Sequence, residues 1–204
     1  SITKTLNEGL AGLVKQRKVN LIQGTGKFTS PDTVAVQTED GILTIRFDQA
    51  IIAAGSHPTK IPIFPHDDPR LLDSTDALEL KEIPKKLLIV GGGIIGLEMA
   101  TVYHAFGSEI SVVELMDQII PGCDKDLVTP LFRRIKKQYN NIWLETRVTS
   151  IESHNEGLKV FFDGKGAPES EMFDAVLVAV GRRPNGKLIA ADQAGINVDE
   201  QGFI

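Results

Sequence analysis

The sequence predicts an α/β protein, with a parallel sheet whose strands alternate with helices and a second, smaller α/β part before it. Three observations carry this. The apolar run Leu87–Val90 passes directly into Gly91-Gly92-Gly93-Ile94-Ile95-Gly96-Leu97-Glu98, a glycine-rich turn that opens a helical pattern. Two further apolar runs, Ile110–Val113 and Ala175–Val180, suit strands buried on both faces. Residues 19–47 instead carry short β-rich runs punctuated by Gly, Pro and Asp.

Taken in order, Leu6, Leu10, Leu13 and Val14 recur at helical spacing and predict an amphipathic helix ending near Lys18. Val19–Ile22, Thr33–Gln37 and Ile42–Phe47 then predict a small antiparallel meander. Gln49–Ser56 reads as a buried strand running into a tight turn at Gly55, and the four prolines within residues 57–69 (Pro58, Pro62, Pro65 and Pro69) mark a linker or crossover. Leu87–Val90 is a strand, Ile94–Phe106 a helix stopped by Gly107, and Ile110–Glu114 a second strand. Asp124 is placed to cap a helix through Leu127, Leu131 and Ile135. Pro130 is awkward inside it and predicts a late start or a kink. Ile142–Leu144 is a third strand. Val148–Ser153, Leu158–Phe162 and Glu171–Phe173 predict a second meander, before Ala175–Val180 returns to the parallel sheet. Gly202–Ile204 looks like a strand cut short, and with the start at Ser1 this predicts an internal piece of a longer chain.

Gly91, Gly93 and Gly96 spell G-x-G-x-x-G between a strand and a helix, the setting in which that spacing has a physical meaning. The first glycine permits the tight turn. The second lets a pyrophosphate approach the backbone, and the third lets the helix pack on its strand. Anions are favoured at the helix N-terminus. Glu114, 18 residues after Gly96, closes the second strand, where a carboxylate accepts both hydroxyls of an adenosine ribose. Leu115–Gln118 contain no Arg or Lys for a 2′-phosphate, so NAD is favoured over NADP. The competing reading is that Glu114 merely ends a strand in solvent. The fold predicted is therefore a Rossmann-like dinucleotide domain with a three-stranded meander as one crossover.

Bulk properties narrow the class. The 204 residues are 42% hydrophobic and 24% charged, ordinary for a globular chain. A net charge of −5 argues against a nucleic-acid or anionic-membrane surface, and no apolar run reaches membrane-spanning length. Neither a nucleic-acid nor a membrane partner is expected, and a cytoplasmic location is. The one cysteine, Cys123, excludes an intrachain disulfide and is read as incidental. His57, His66, His104 and His154 show no metal-ligand spacing, so no metal is expected.

Five stretches, Gln23–Phe28, Ala50–Ser56, Asp73–Glu82, Gly91–Tyr103 and Ala175–Gly186, resemble the flavoprotein disulfide reductases. Within that family they are most similar to the bacterial enzymes that oxidise protein-bound dihydrolipoamide. The resemblance spans essentially the whole chain. It implies that residues 1–58 are the later part of an FAD-binding domain, 59–184 an NAD-binding domain, and 185–204 the return toward the FAD and central domains. It further implies that Gly26, Ala54, Gly55 and Ser56 lie against FAD, and that Gly91–Glu98 wrap the NAD pyrophosphate. Glu114 then holds the ribose, Val148 lies by the adenine, Gly181 approaches the nicotinamide side, and Glu98 sits near the nicotinamide carboxamide. Read from the residues alone, Gly26 and Gly55 could be turn glycines, Val148 a core residue and Glu98 a partly buried or capping acid. Arg182 and Arg183 are read as a solvated or phosphate-facing pair and Trp143 as packing.

The implied partners are a second copy of the chain and the lipoyl-bearing acyltransferase of a 2-oxo acid dehydrogenase complex. No catalytic residue is expected within these residues, because the family's redox cysteine pair and His–Glu pair have no match here. Taken alone, the piece is expected to bind NAD weakly and to catalyse nothing. The alternatives are a pyridine nucleotide transhydrogenase of the same superfamily and a non-catalytic NAD-binding module.

Overall fold

A computed structural model describes residues 2–204, which divide into two compact units. One runs to Ser56 and resumes at Pro184–Ile204; the other is His57–Arg183.

The first unit opens with helix α1 (Ile2–Gln16), whose leucine stripe is at the surface with no residue buried. Three antiparallel strands follow, β1 (Thr25–Ser30), β2 (Thr33–Thr38) and β3 (Gly41–Arg46), in the order β1-β2-β3. Asp32 pins their first turn. Its carboxylate accepts bonds from the Ser30 and Thr33 hydroxyls and from Arg46, which together hold its pKa below the usual carboxylate value. The meander starts later than the sequence suggests. Val19–Ile22 form no strand, because Lys18 turns into the left-handed region (φ 55°) and leaves those residues exposed and unpaired in any sheet. The predicted buried strand over 49–56 is likewise absent through residue 55; only Ser56, its last residue, enters a strand. Ile51 is 97% exposed, and among the described residues no strand pairs with residues 49–55, so their apolar run has no sheet to enter.

Two short strands, β4 (Ser56–Pro58) and β13 (Arg182–Pro184), carry the chain into and out of the second unit. That unit holds β5 (Leu71–Leu72), α2 (Ser74–Leu78), β6 (Lys86–Val90), α3 (Ile94–Ala105), β7 (Glu109–Val113), α4 (Lys125–Ile135) and β8 (Asn141–Trp143). The meander β9 (Thr146–His154), β10 (Gly157–Gly164) and β11 (Ser170–Phe173) follows, then β12 (Ala175–Val178) and β13 (Arg182–Pro184). The parallel sheet has the order β5-β12-β6-β7-β8, with Leu88 opposite both Val176 and Ser111. From β6 the chain steps outward to β7 and β8, then returns to the other side of β6 as β12. The switch point therefore lies at the C-terminal ends of β6 and β12, where open α/β sheets bind ligands.

Alternation along β6 shows why its strands are apolar throughout. Leu87 and Ile89 pack with Leu97, Ala100 and Tyr103 of α3 and Val128 and Ile135 of α4. Leu88 and Val90 pack on the opposite face with Ile151, Leu158, Val160 and Phe173 of the meander. Both faces are covered, giving three layers. Trp143 belongs to this packing, its ring 5.1 Å from that of Phe162.

Smaller differences have local causes. The two-residue strand β5 is too short to leave a pattern. Asp73 caps α2 through a reciprocal box with Asp76, whereas Asp124 precedes α4 without a side-chain cap. Helix α4 does not start late: it begins at Lys125 and continues through Pro130. Residues 202–204 form no strand; the Asp199 carboxylate accepts the Gln201 and Phe203 N–H groups and folds the segment into a turn. No described helix is long and apolar enough to cross a membrane.

Candidate functional site

The glycine turn is built by steric necessity at two of its three fingerprint positions. Gly91 has φ +105°, and a Cβ there would run into the Ala179 carbonyl at the end of β12. A Cβ on Gly96 would meet the Gly91 carbonyl and Ile89, so this glycine sets the close approach of α3 to β6. Gly92 is buried, its would-be Cβ 3.2 Å from Ile119 and 3.3 Å from Glu114.

Gly93 is different. Its backbone (φ −77°, ψ −175°) is open to any residue, and a Cβ would touch nothing within 4 Å. Nothing inside the protein asks for glycine there. The missing methyl leaves free space over the N-terminus of α3, which has no side-chain cap to occupy its first-turn N–H groups. This is the shape an incoming phosphate requires.

Glu114 is not a solvent-facing strand end. It is 7% exposed, with one carboxylate oxygen accepting the Gly92 N–H at 2.7 Å and the other the Met116 N–H at 2.9 Å. The two amides fix its orientation. Each oxygen keeps a second acceptor site, so the carboxylate can still take hydroxyl donors.

A cleft of about 1070 Å³ opens at the switch point. It brings together Gly91, Gly93, Ile94, Ile95, Glu114, Val148 and Gly181 of the residues singled out in the sequence. Val148 serves both readings: it is core on one side and wall on the other. Gly181 has φ +119°, a conformation that requires glycine. Gly92, Gly96 and Leu97 lie behind the wall as packing. Glu98 departs from the partly buried acid expected of it. It is exposed and does not line the cleft, because Leu97 and Ala100 take the core face of α3 at helical spacing.

The cleft also holds residues the sequence reading passed over. Phe64 comes from the proline-rich linker, and Ile120 from the loop after Glu114. Arg147, 33 positions beyond Glu114, brings a cation into the cleft, but its guanidinium is paired with Asp163 at 3.2 Å. Arg182 also lines the cleft and donates to the Ser74 hydroxyl at 3.1 Å; Arg183 is exposed and does not line it. Cys123 is an exposed thiol at the rim. No group of three metal-ligating side chains occurs among the described residues.

The four residues carried over for FAD lie in the first unit. Gly26 sits within β1 rather than in a turn, while Gly55 does turn (φ +68°). Asn185 ties the segment down, its side-chain amide donating to the Ala54 carbonyl and its N–H to the Gly55 carbonyl. The unit's large open concavity is lined by Leu21–Gly24 and Gln37–Leu43 and includes none of the four. These residues do not by themselves form a cradle that fits a flavin.

The fold and the glycine-lined cleft at its switch point define a dinucleotide-binding α/β protein, and comparison with known proteins gives the family. The model of the pyridine nucleotide-disulphide oxidoreductases matches residues 1–204, and the chain belongs to that family. It is 58% identical over 204 residues to a dihydrolipoyl dehydrogenase of Vibrio cholerae serotype O1, covering 100% of this chain and 43% of that protein. A dihydrolipoyl dehydrogenase of Haemophilus influenzae is 52% identical over 205 residues, with the same coverage. Among solved structures, the HOCl-induced flavoprotein disulfide reductase RclA from Escherichia coli superposes with a TM-score of 0.81. It is 30% identical, over 96% of this chain and 43% of that one. The chain thus spans under half the length of the relatives it matches.

Proposed function

We propose that this chain carries the NAD-binding unit, and part of the FAD-binding unit, of a dihydrolipoyl dehydrogenase. The observation that carries the NAD assignment is Gly93, a glycine the protein's own packing does not require, placed over the open end of α3. The dihydrolipoamide assignment rests on the names of relatives more than half identical to the chain.

In this reading the first-turn N–H groups of α3 hold the pyrophosphate, and Glu114, locked by Gly92 and Met116, accepts the adenosine ribose hydroxyls. Val148 walls the base, and Gly181 lets the nicotinamide end lie close to the backbone. Bound NAD supplies the hydride acceptor; the residues here hold and orient it. A dithiol relay needs two cysteines, and this chain has Cys123 alone. The 204 residues therefore seat a cofactor without performing the thiol chemistry. The whole protein would act as a cytoplasmic homodimer on the lipoyl-bearing acyltransferase of a 2-oxo acid dehydrogenase complex.

Calorimetric titration of the chain with NAD tests the seat, with saturable binding expected and weakening of at least tenfold in Gly93→Ala. An absence of binding at millimolar NAD sinks it. Dihydrolipoamide-dependent NAD reduction by the full-length protein tests the activity; a flavoprotein that reduces NAD from another donor alone would overturn that part.

A further inference from the structure

Of the five described non-glycine residues at positive φ, Ile120 alone is β-branched, the side-chain type least suited to that region. It sits at φ 47° and lines the cleft. Backbone strain of this kind persists where the surroundings over-determine it, and here they do. Ile119, the preceding residue, is fully buried against the helix-side core. The Ile120 N–H donates to the Gly92 carbonyl at 2.8 Å, and its carbonyl accepts the Cys123 N–H at 3.2 Å. The Gln118 amide closes the loop on the Cys123 carbonyl at 2.9 Å. With Ile119 held in the core, the left-handed turn lets Ile120 bond Gly92, rest partly buried against that core and line the cleft at once.

Gly92 donates in turn to Glu114. One chain of hydrogen bonds thus joins the acid read as the ribose acceptor, the glycine turn and Ile120. We infer that Ile120 is a ligand-contacting wall of the cleft, held in a strained backbone to press an apolar surface against the adenosine half of the dinucleotide. The inference rests on the NAD reading above.

The test uses ADP-ribose, which carries the adenosine and pyrophosphate without nicotinamide, titrated calorimetrically into the 204-residue chain. Ile120→Gly relieves the strain and removes the wall. Ile120→Asn also tolerates the left-handed region and replaces the apolar surface with an amide, so it decides the matter if the glycine variant is poorly folded. Both are expected to weaken ADP-ribose by about tenfold, the loss of one apolar contact. Ile120→Leu, which restores apolar bulk, is expected to bind within about threefold of the parent, about 0.7 kcal/mol. A purely structural role would instead lower the unfolding midpoint of Asn and Gly without this rescue. Unchanged affinity in Asn or Gly, or a leucine variant as weak as glycine, overturns the role of Ile120 alone. A parent chain that binds no ADP-ribose takes down the NAD reading as well.

Discussion

Gly91 and Gly93 belong to one motif but answer to different constraints, and substitution separates them. Gly91→Ala places a Cβ against the Ala179 carbonyl at a φ of +105°, and should cost about 2–4 kcal/mol of folding stability. Gly93→Ala enters open space at an ordinary backbone conformation, and should cost under about 1 kcal/mol while impairing NAD binding. Chemical denaturation of both variants beside NAD titration checks the pair. Asp68 offers a second case. The Arg70 guanidinium, bonded to it at 2.7 and 2.9 Å, holds its carboxyl well below the usual carboxylate range. A group depressed in the folded state stabilises above its unfolded value, near 3.9, and loses that contribution as pH falls toward the folded one. Asp68→Asn should therefore lower stability by about 1 kcal/mol at pH 7, with the gap to the parent closing below about pH 4. Urea midpoints across that range would show the convergence; a constant gap would contradict it.

Helix α4 shows an element held by its neighbours against a local preference. Pro130, exposed and six residues into the helix, has no N–H for the Asp126 carbonyl. Val128 and Ile135 nonetheless anchor the helix in the core it shares with α3. Pro130→Ala should raise stability by about 1–3 kcal/mol, read as a higher thermal midpoint. A lower midpoint would mean that the proline's ring packs usefully or its bend is needed. Helix α1 has the opposite difficulty. Its leucine stripe recurs at good helical spacing, yet none of it is buried within its unit.

Burial is uneven across the molecule as a whole. Both large clusters of buried side chains, on either face of the parallel sheet, lie in residues 57–183. The first unit buries few apolar side chains, Phe28 and Val36 among them. Amide exchange should follow this division, because protection tracks the buried contacts that must open. Slowest exchange is expected in β6, β7 and β12, and fast exchange in α1 and residues 19–23. Equal protection in α1 and β6 would contradict it. A polypeptide of residues 57–183 alone should unfold cooperatively, since its core is complete within those limits.

The sequence by itself determined the α/β class, the strand–turn–helix of the glycine motif, and Glu114 as the acid that follows it. It also placed the second meander before the returning strand Ala175–Val178. Each is a local pattern: a hydrophobic period, or a spacing that the pitch of one element converts into position. The tertiary structure decided what depends on distant partners. It left residues 49–55 without a sheet, because an apolar run becomes a buried strand only where strands flank it. It exposed Glu98 and buried Glu114 against two backbone amides. It also carried Arg147 and Phe64 into the same cleft as Gly93. The φ of Ile120 arises in the same way, from a neighbour fixed in the core and a hydrogen bond to a residue 28 positions earlier. No window of sequence contains such a constraint, since it exists only once the sheet has brought those segments together.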